Sequence, residues 1–164
     1  VTVNRSRWLG RGALLLVVAG GGAAWQLTAP SPASGALPPI DPGDAEQVAL
    51  GRDVYAAQCA ACHGAQLEGQ RDWQKRLPNG RLPAPPHDAS GHTWHHPDSQ
   101  LFGMTKYGIG PFAPQGYESD MPAFEGVLSD AEIAAVLSFI KSTWPRDIRQ
   151  RHDALNRATA AKDK

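Results

Sequence analysis

Only two of the 164 residues are cysteine, and both fall inside one pentapeptide, Cys59-Ala60-Ala61-Cys62-His63. No further cysteine is available for a disulfide framework, and a bridge between residues three apart is geometrically tight. Paired histidines do not follow at the distance a structural zinc motif uses, and no strand pattern surrounds the cysteines as a thioredoxin-like turn requires. Methionine is equally scarce, at 2. The apolar run near the N-terminus is short for a membrane-spanning helix, which needs about 17–25 residues. Net formal charge is zero, but it divides along the chain. From Asp41 to Pro145 there are seven Lys/Arg against thirteen Asp/Glu, whereas from Arg146 to Lys164 there are six against three. An acidic body with a basic tail bears on partners rather than on fold, and no nucleic acid is expected among them. Glycine (17) and proline (14) are both plentiful, so the chain is loop-rich rather than one long bundle.

The pentapeptide has a positive reading. C-x-x-C-H is the attachment signature of a c-type haem. Two thiols on one tight turn each add to a vinyl group of the porphyrin. The adjacent histidine, His63, then presents its imidazole to the iron as proximal ligand.

Ahead of the motif, residues 1–27 carry Arg5, Arg7 and Arg11 without an acid, then an apolar run from Ala13 to Ala19 and a second around Trp25. A basic segment followed by an apolar one is an export signal. Trp25 suits a membrane interface, and the small-residue cleavage sites are poor, so a retained single anchor with its basic end in the cytoplasm is expected. A cleaved signal is the alternative; either way the haem is held outside the cytoplasm. Residues 28–43, rich in Pro, Ala and Ser, read as an extended tether.

Residues 44–145 are expected to form the haem domain. Asp44 to Gln58 predicts a helix capped by Asp41 or Asp44, with Val48, Gly51, Val54 and Tyr55 on helical spacing. Gly51 inside a helix asks for a close crossing with another helix. Pro83, Pro85 and Pro86 forbid a helix after the motif. The stretch from His87 to Pro97 holds four of the 6 histidines, His87, His92, His95 and His96. It reads as a polar loop over the haem edge, a second metal site or a histidine ligand being the alternative. A short helix is predicted over Pro97 to Tyr107, with Asp98 or Ser99 near its cap. Ser129-Asp130-Ala131-Glu132 is a capping box, and Ile133, Val136, Leu137 and Ile140 form the stripe of an amphipathic helix closed by Trp144-Pro145. Residues 146–164 are expected to be a loosely held basic tail.

For the sixth ligand of the iron, Met104 lies on a helical apolar face, where methionine usually fills core. Met121 lies in a loop before the rigid Pro122 and is the expected ligand, its thioether favouring reduced iron.

Together these residues resemble the class I cytochrome c family over about Asp44 to Pro145. The likeness rests on Gly51 and Tyr55 of the first helix, Cys59-x-x-Cys62-His63-Gly64, Met121-Pro122, and a last amphipathic helix ending in Phe139 and Ile140. It implies an all-α fold of three to five helices round one covalently bound haem. It also implies an aromatic, Phe139 or Trp144, at the crossing of the first and last helices, and a carbonyl of Pro85 or Pro86 bonded to His63. The Pro-Pro-His-Asp and Gly-His-Thr-Trp-His-His runs look like those of bacterial membrane-anchored or periplasmic monohaem cytochromes, which adds Trp94 to the residues expected near the haem. The implied function is one-electron transfer rather than catalysis on a small molecule. The expected partner is a redox protein with a basic docking face, met on the periplasmic side of the inner membrane. The rivals are a peroxidase-like haem, a metal-handling role, and a cytochrome subunit of a larger oxidoreductase.

Overall fold

A computed structural model describes residues 37–162, and these are helical with no strand. Five α-helices follow one another: α1 (Ala45–Gln58), the single turn α2 (Ala60–His63), α3 (Asp98–Tyr107), α4 (Asp130–Ser142) and α5 (Arg146–Lys162). Short 3-10 turns occupy Thr93–His95 and Gly110–Phe112. The expected anchor over 1–27 and most of the tether lie outside the described residues.

α1 begins where Asp44 accepts hydrogen bonds from the Glu46 and Gln47 amides, so Asp44 rather than Asp41 is its cap. α4 begins at the capping box, with Ser129 and Glu132 bonding each other's backbone N–H. The two helices cross at Gly51. A Cβ built there would lie 1.9 Å from the Ala135 carbonyl oxygen and 2.9 Å from the Phe139 Cβ, so only glycine allows this approach. One turn on, the Tyr55 ring packs on Phe139 with centroids 5.5 Å apart. Phe139 is therefore the aromatic of the crossing, and Trp144 is committed elsewhere. The apolar stripe of α4, led by Ile133, Val136, Leu137 and Ile140, is buried against Val54, Leu101, Phe102 and Phe124.

Residues 146–162 are a docked helix rather than a loose tail. Ile148 and His152 of α5 are buried. The His152 Nε2–H donates to the His96 carbonyl at 2.9 Å, while Nδ1 faces the Asn156 amide nitrogen at 3.4 Å. Asn156 also reaches the start of α3. Its Oδ1 accepts from the Asp98 backbone N–H and its Nδ2 donates to the Asp98 carboxylate, both at 2.8 Å. Neither Asp98 nor Ser99 caps α3; the N-cap position is Pro97, which has no side-chain acceptor, and Asn156 supplies one from α5. The buried Lys141 ammonium holds both Asp98 oxygens, at 2.9 and 2.8 Å. A polar sequence thus docks through paired polar groups, which a search for apolar stripes does not register.

Two outcomes follow from this packing. Gly51→Ala should lower stability by about 1–3 kcal/mol or more through overpacking at the Ala135 carbonyl. Gly110→Ala, where a Cβ meets nothing within 4 Å, should stay within about 0.5 kcal/mol of wild type in the same denaturant titration. For His152, burial holds the imidazole pKa below its ordinary value, the Asp98 charge opposing and Lys141 assisting. Below about pH 6.5 the unfolded chain takes up a proton that the folded chain refuses, so the His152 contribution is present above that pH and lost below it. The stability gap between wild type and His152→Asn should therefore narrow from pH 7.5 to pH 5; a constant gap would show that the imidazole does not titrate in this way.

Candidate functional site

The end of α1 runs directly into the motif. Cys59 closes α1 and opens α2, and its carbonyl accepts from the amides of Cys62 at 3.1 Å and His63 at 2.9 Å. Both thiols and the imidazole therefore ride on one backbone turn. The thiols are free and unbridged, Cys59 half-buried and Cys62 exposed. Burial, with the neighbouring Cys62, pushes the Cys59 thiol up to about 11, so it rests as a neutral thiol.

His63 is buried, and its Nδ1 lies 2.8 Å from the Pro85 carbonyl oxygen. A carbonyl only accepts, so Nδ1 carries the proton and Nε2 keeps its lone pair for a metal. Burial lowers the imidazole pKa, with the Pro85 bond opposing. Pro86 is not the partner; its carbonyl accepts from the Thr93 hydroxyl at 3.4 Å. The Pro85-Pro86 segment is held close from the far side by Gly91, where a Cβ would fall 2.0 Å from the Pro86 oxygen. Beside it, the Tyr55 hydroxyl donates to the Gly64 carbonyl at 2.9 Å.

The four histidines of the loop pack against different rings. His87 stacks on His63, ring centroids 4.0 Å apart and planes at 25°. His92 stacks on Trp73, His95 stacks on Trp94, and His96 meets His92 edge-on. Among the described residues no group of three or more His, Cys, Asp or Glu side chains could hold a metal ion. His87 is the loop histidine that reaches His63, which local sequence reasoning did not single out from the other three. It sits directly after the two prolines, but nothing in spacing distinguishes it from the other imidazoles. Burial drives its pKa well below the ordinary value, with His63 and His92 adding to the effect, so it is neutral.

Trp94 lies half-buried, and its indole Nε1 is the one buried side-chain polar atom without a partner among the described residues. A buried N–H left unmade costs about 1–3 kcal/mol, so an acceptor from outside the protein is called for. A haem propionate is such an acceptor. Two thiols, one imidazole with a free Nε2 and an orphan donor together fit a covalently held haem.

Both methionines are half-buried against the core. Met104 sits on α3. Met121 sits in a coil whose amide donates to the Ser119 hydroxyl at 3.1 Å. That coil is tied to α3 by Phe124 N–H to the Thr105 carbonyl and Glu125 N–H to the Lys106 carbonyl. Arg81 joins it across the structure, paired with Glu118 and Asp120.

The family model for Cytochrome c matches residues 48–144. A curated relative is the Cbb3-type cytochrome c oxidase subunit FixP of Bradyrhizobium sp. (strain ORS 278). It is 29% identical over 108 residues, which make up 65% of this chain and 33% of that protein. The chain thus spans about one third of that relative's length. No solved structure matches at a comparable level. No helix among the described residues is long and apolar enough to cross a membrane.

Cys59→Ala and Cys62→Ala should each leave a single thioether, read as a red shift of the pyridine haemochrome spectrum. The double variant should release haem to acidified organic solvent, which the single variants resist. Extraction from either single variant would mean that the other thiol is not bonded.

Proposed function

We propose, from the premise that this chain belongs to the cytochrome c family, that it is a one-electron carrier whose iron is held between His63 and Met121. When bound, the haem supplies a one-electron ferric–ferrous couple. The observation that carries the reading is the bond from His63 Nδ1–H to the Pro85 carbonyl. It fixes the tautomer that leaves Nε2 free and makes that nitrogen a more basic donor. Met121 supports the second axial position because its loop is tied at both ends while no helical stripe claims its side chain. A thioether there raises the potential, which suits transfer between proteins. Trp94 holds a propionate from the loop side in this reading, and Cys59 and Cys62 hold the ring covalently.

The haem domain of this reading begins at residue 44, tethered through 28–43 to an anchor over 1–27 on the periplasmic face of the inner membrane. Its acidic residues steer it to a basic face on a redox partner, in contacts that weaken with salt. The relative's name, a subunit of a cbb3-type cytochrome c oxidase, supports a second reading, in which the chain delivers electrons within an oxidoreductase complex. Co-purification of a terminal oxidase from native membranes separates the two.

Met121→Ala should abolish the weak far-red absorption band of methionine-bound ferric haem and lower the midpoint potential. Met104→Ala should leave both unchanged. A wild type without the band would overturn Met121 as ligand, and a high-spin ferric spectrum would favour a catalytic haem.

A further inference from the structure

The Pro85 carbonyl fixes His63 at one atom only. A single hydrogen bond sets the tautomer and the direction of Nδ1–H, but leaves the ring able to rock about that direction. A second contact stops it. The His87 ring lies face-on against His63 at a centroid separation of 4.0 Å, which is stacking distance.

His87 itself has no room to move aside. Its backbone N–H donates to the Leu67 carbonyl at 2.8 Å, and its own carbonyl accepts from the Trp144 indole N–H at 2.8 Å. Its ring Nδ1 lies 2.8 Å from the buried Thr93 hydroxyl, which is also 3.4 Å from the Pro86 carbonyl oxygen. The edge of Tyr55 closes the surroundings at 6.3 Å. Two hydrogen bonds therefore fix the His87 backbone and a third fixes its ring, from three separate segments, with one imidazole stacked on the other. Filling space alone does not call for a planar ring pinned at its nitrogen.

We infer that His87 is a positioning residue, its backbone held by Leu67 and Trp144 and its ring stacked on His63 and pinned by Thr93, so that it sets the rotational orientation of the proximal imidazole. The inference rests on His63 as an iron ligand. Orientation of an axial imidazole plane selects which iron d orbital it overlaps, and so governs the magnetic anisotropy of the ferric low-spin state. That gives a readout independent of electron-transfer activity.

The experiment compares the haem-loaded full chain with His87→Phe, His87→Leu and Thr93→Val, by proton NMR of the ferric haem-methyl resonances and by electron paramagnetic resonance. His87→Phe keeps a flat face and should keep the wild-type order and spread of the methyl resonances. His87→Leu fills the site without a flat face and should redistribute them, with altered g-values. Thr93→Val leaves the ring unpinned and should shift them in the same sense by less. Identical spectra for His87→Leu and wild type, or equal displacement in the Phe and Leu variants, would overturn the inference. If His87→Leu takes up no haem, Thr93→Val decides: displaced resonances support the role and unchanged ones remove it. Failure of His63 ligation shows separately, because the wild type alone would then lack a low-spin imidazole signature.

Discussion

The crossing of α1 and α4 at Gly51 is the constraint on which the remaining geometry depends. Here backbone meets backbone, with the Ala135 carbonyl in the place a side chain would need. Close-packed interiors transmit displacements rather than absorb them. The crossing therefore acts as a fulcrum for two ends of the site at once. Beyond α1 the chain turns into Cys59, Cys62 and His63. Beyond α4 it reaches Trp144, which grips the His87 carbonyl. The turn that carries the motif and the segment packed against His63 are thus referred to one contact, although more than eighty positions separate Cys59 from Trp144 in sequence.

Proline content explains how the surroundings of His63 are built. Pro83, Pro85 and Pro86 carry no N–H, so this coil has more acceptors than donors and cannot pair with itself. Side chains from elsewhere make up the difference. His63 donates to the Pro85 carbonyl, Thr93 to that of Pro86 and Trp144 to that of His87. The same feature that excludes regular structure from the loop thereby recruits the groups that lock it in place. His63 is oriented as one member of this set rather than as a special case.

Local patterns were legible in sequence and distant pairings were not. α1, α3 and α4 announced themselves through periodicity, and α4 through its capping box, all of which act within four residues. Gly51 implied a crossing because a helical glycine needs a packing reason, and the motif carried the haem chemistry. Scarcity of methionine left two thioethers to weigh, with a histidine of the loop as the alternative. What escaped depends on partners more than fifty residues apart: His152 with the His96 carbonyl, Asn156 with Asp98, Trp144 with His87. A polar helix docked by such pairs has the composition of a free tail. The choice between Pro85 and Pro86, and between Phe139 and Trp144, likewise turned on loop and helix-end geometry that spacing does not encode.

The cap that Asn156 places on α3 also makes the start of α3 depend on the last helix of the described residues. While the chain emerges from its N-terminal side, the α1–α4 crossing can close as soon as α4 is complete, but the first amide of α3 and the His96 carbonyl still lack their partners. Their protein partners come only with α5. The same seam is a candidate for the first cooperative unit to open in the finished protein, since α5 is held by a few polar contacts and little apolar area. The histidine loop is thus sealed by a helix that lies beyond the family's matched span.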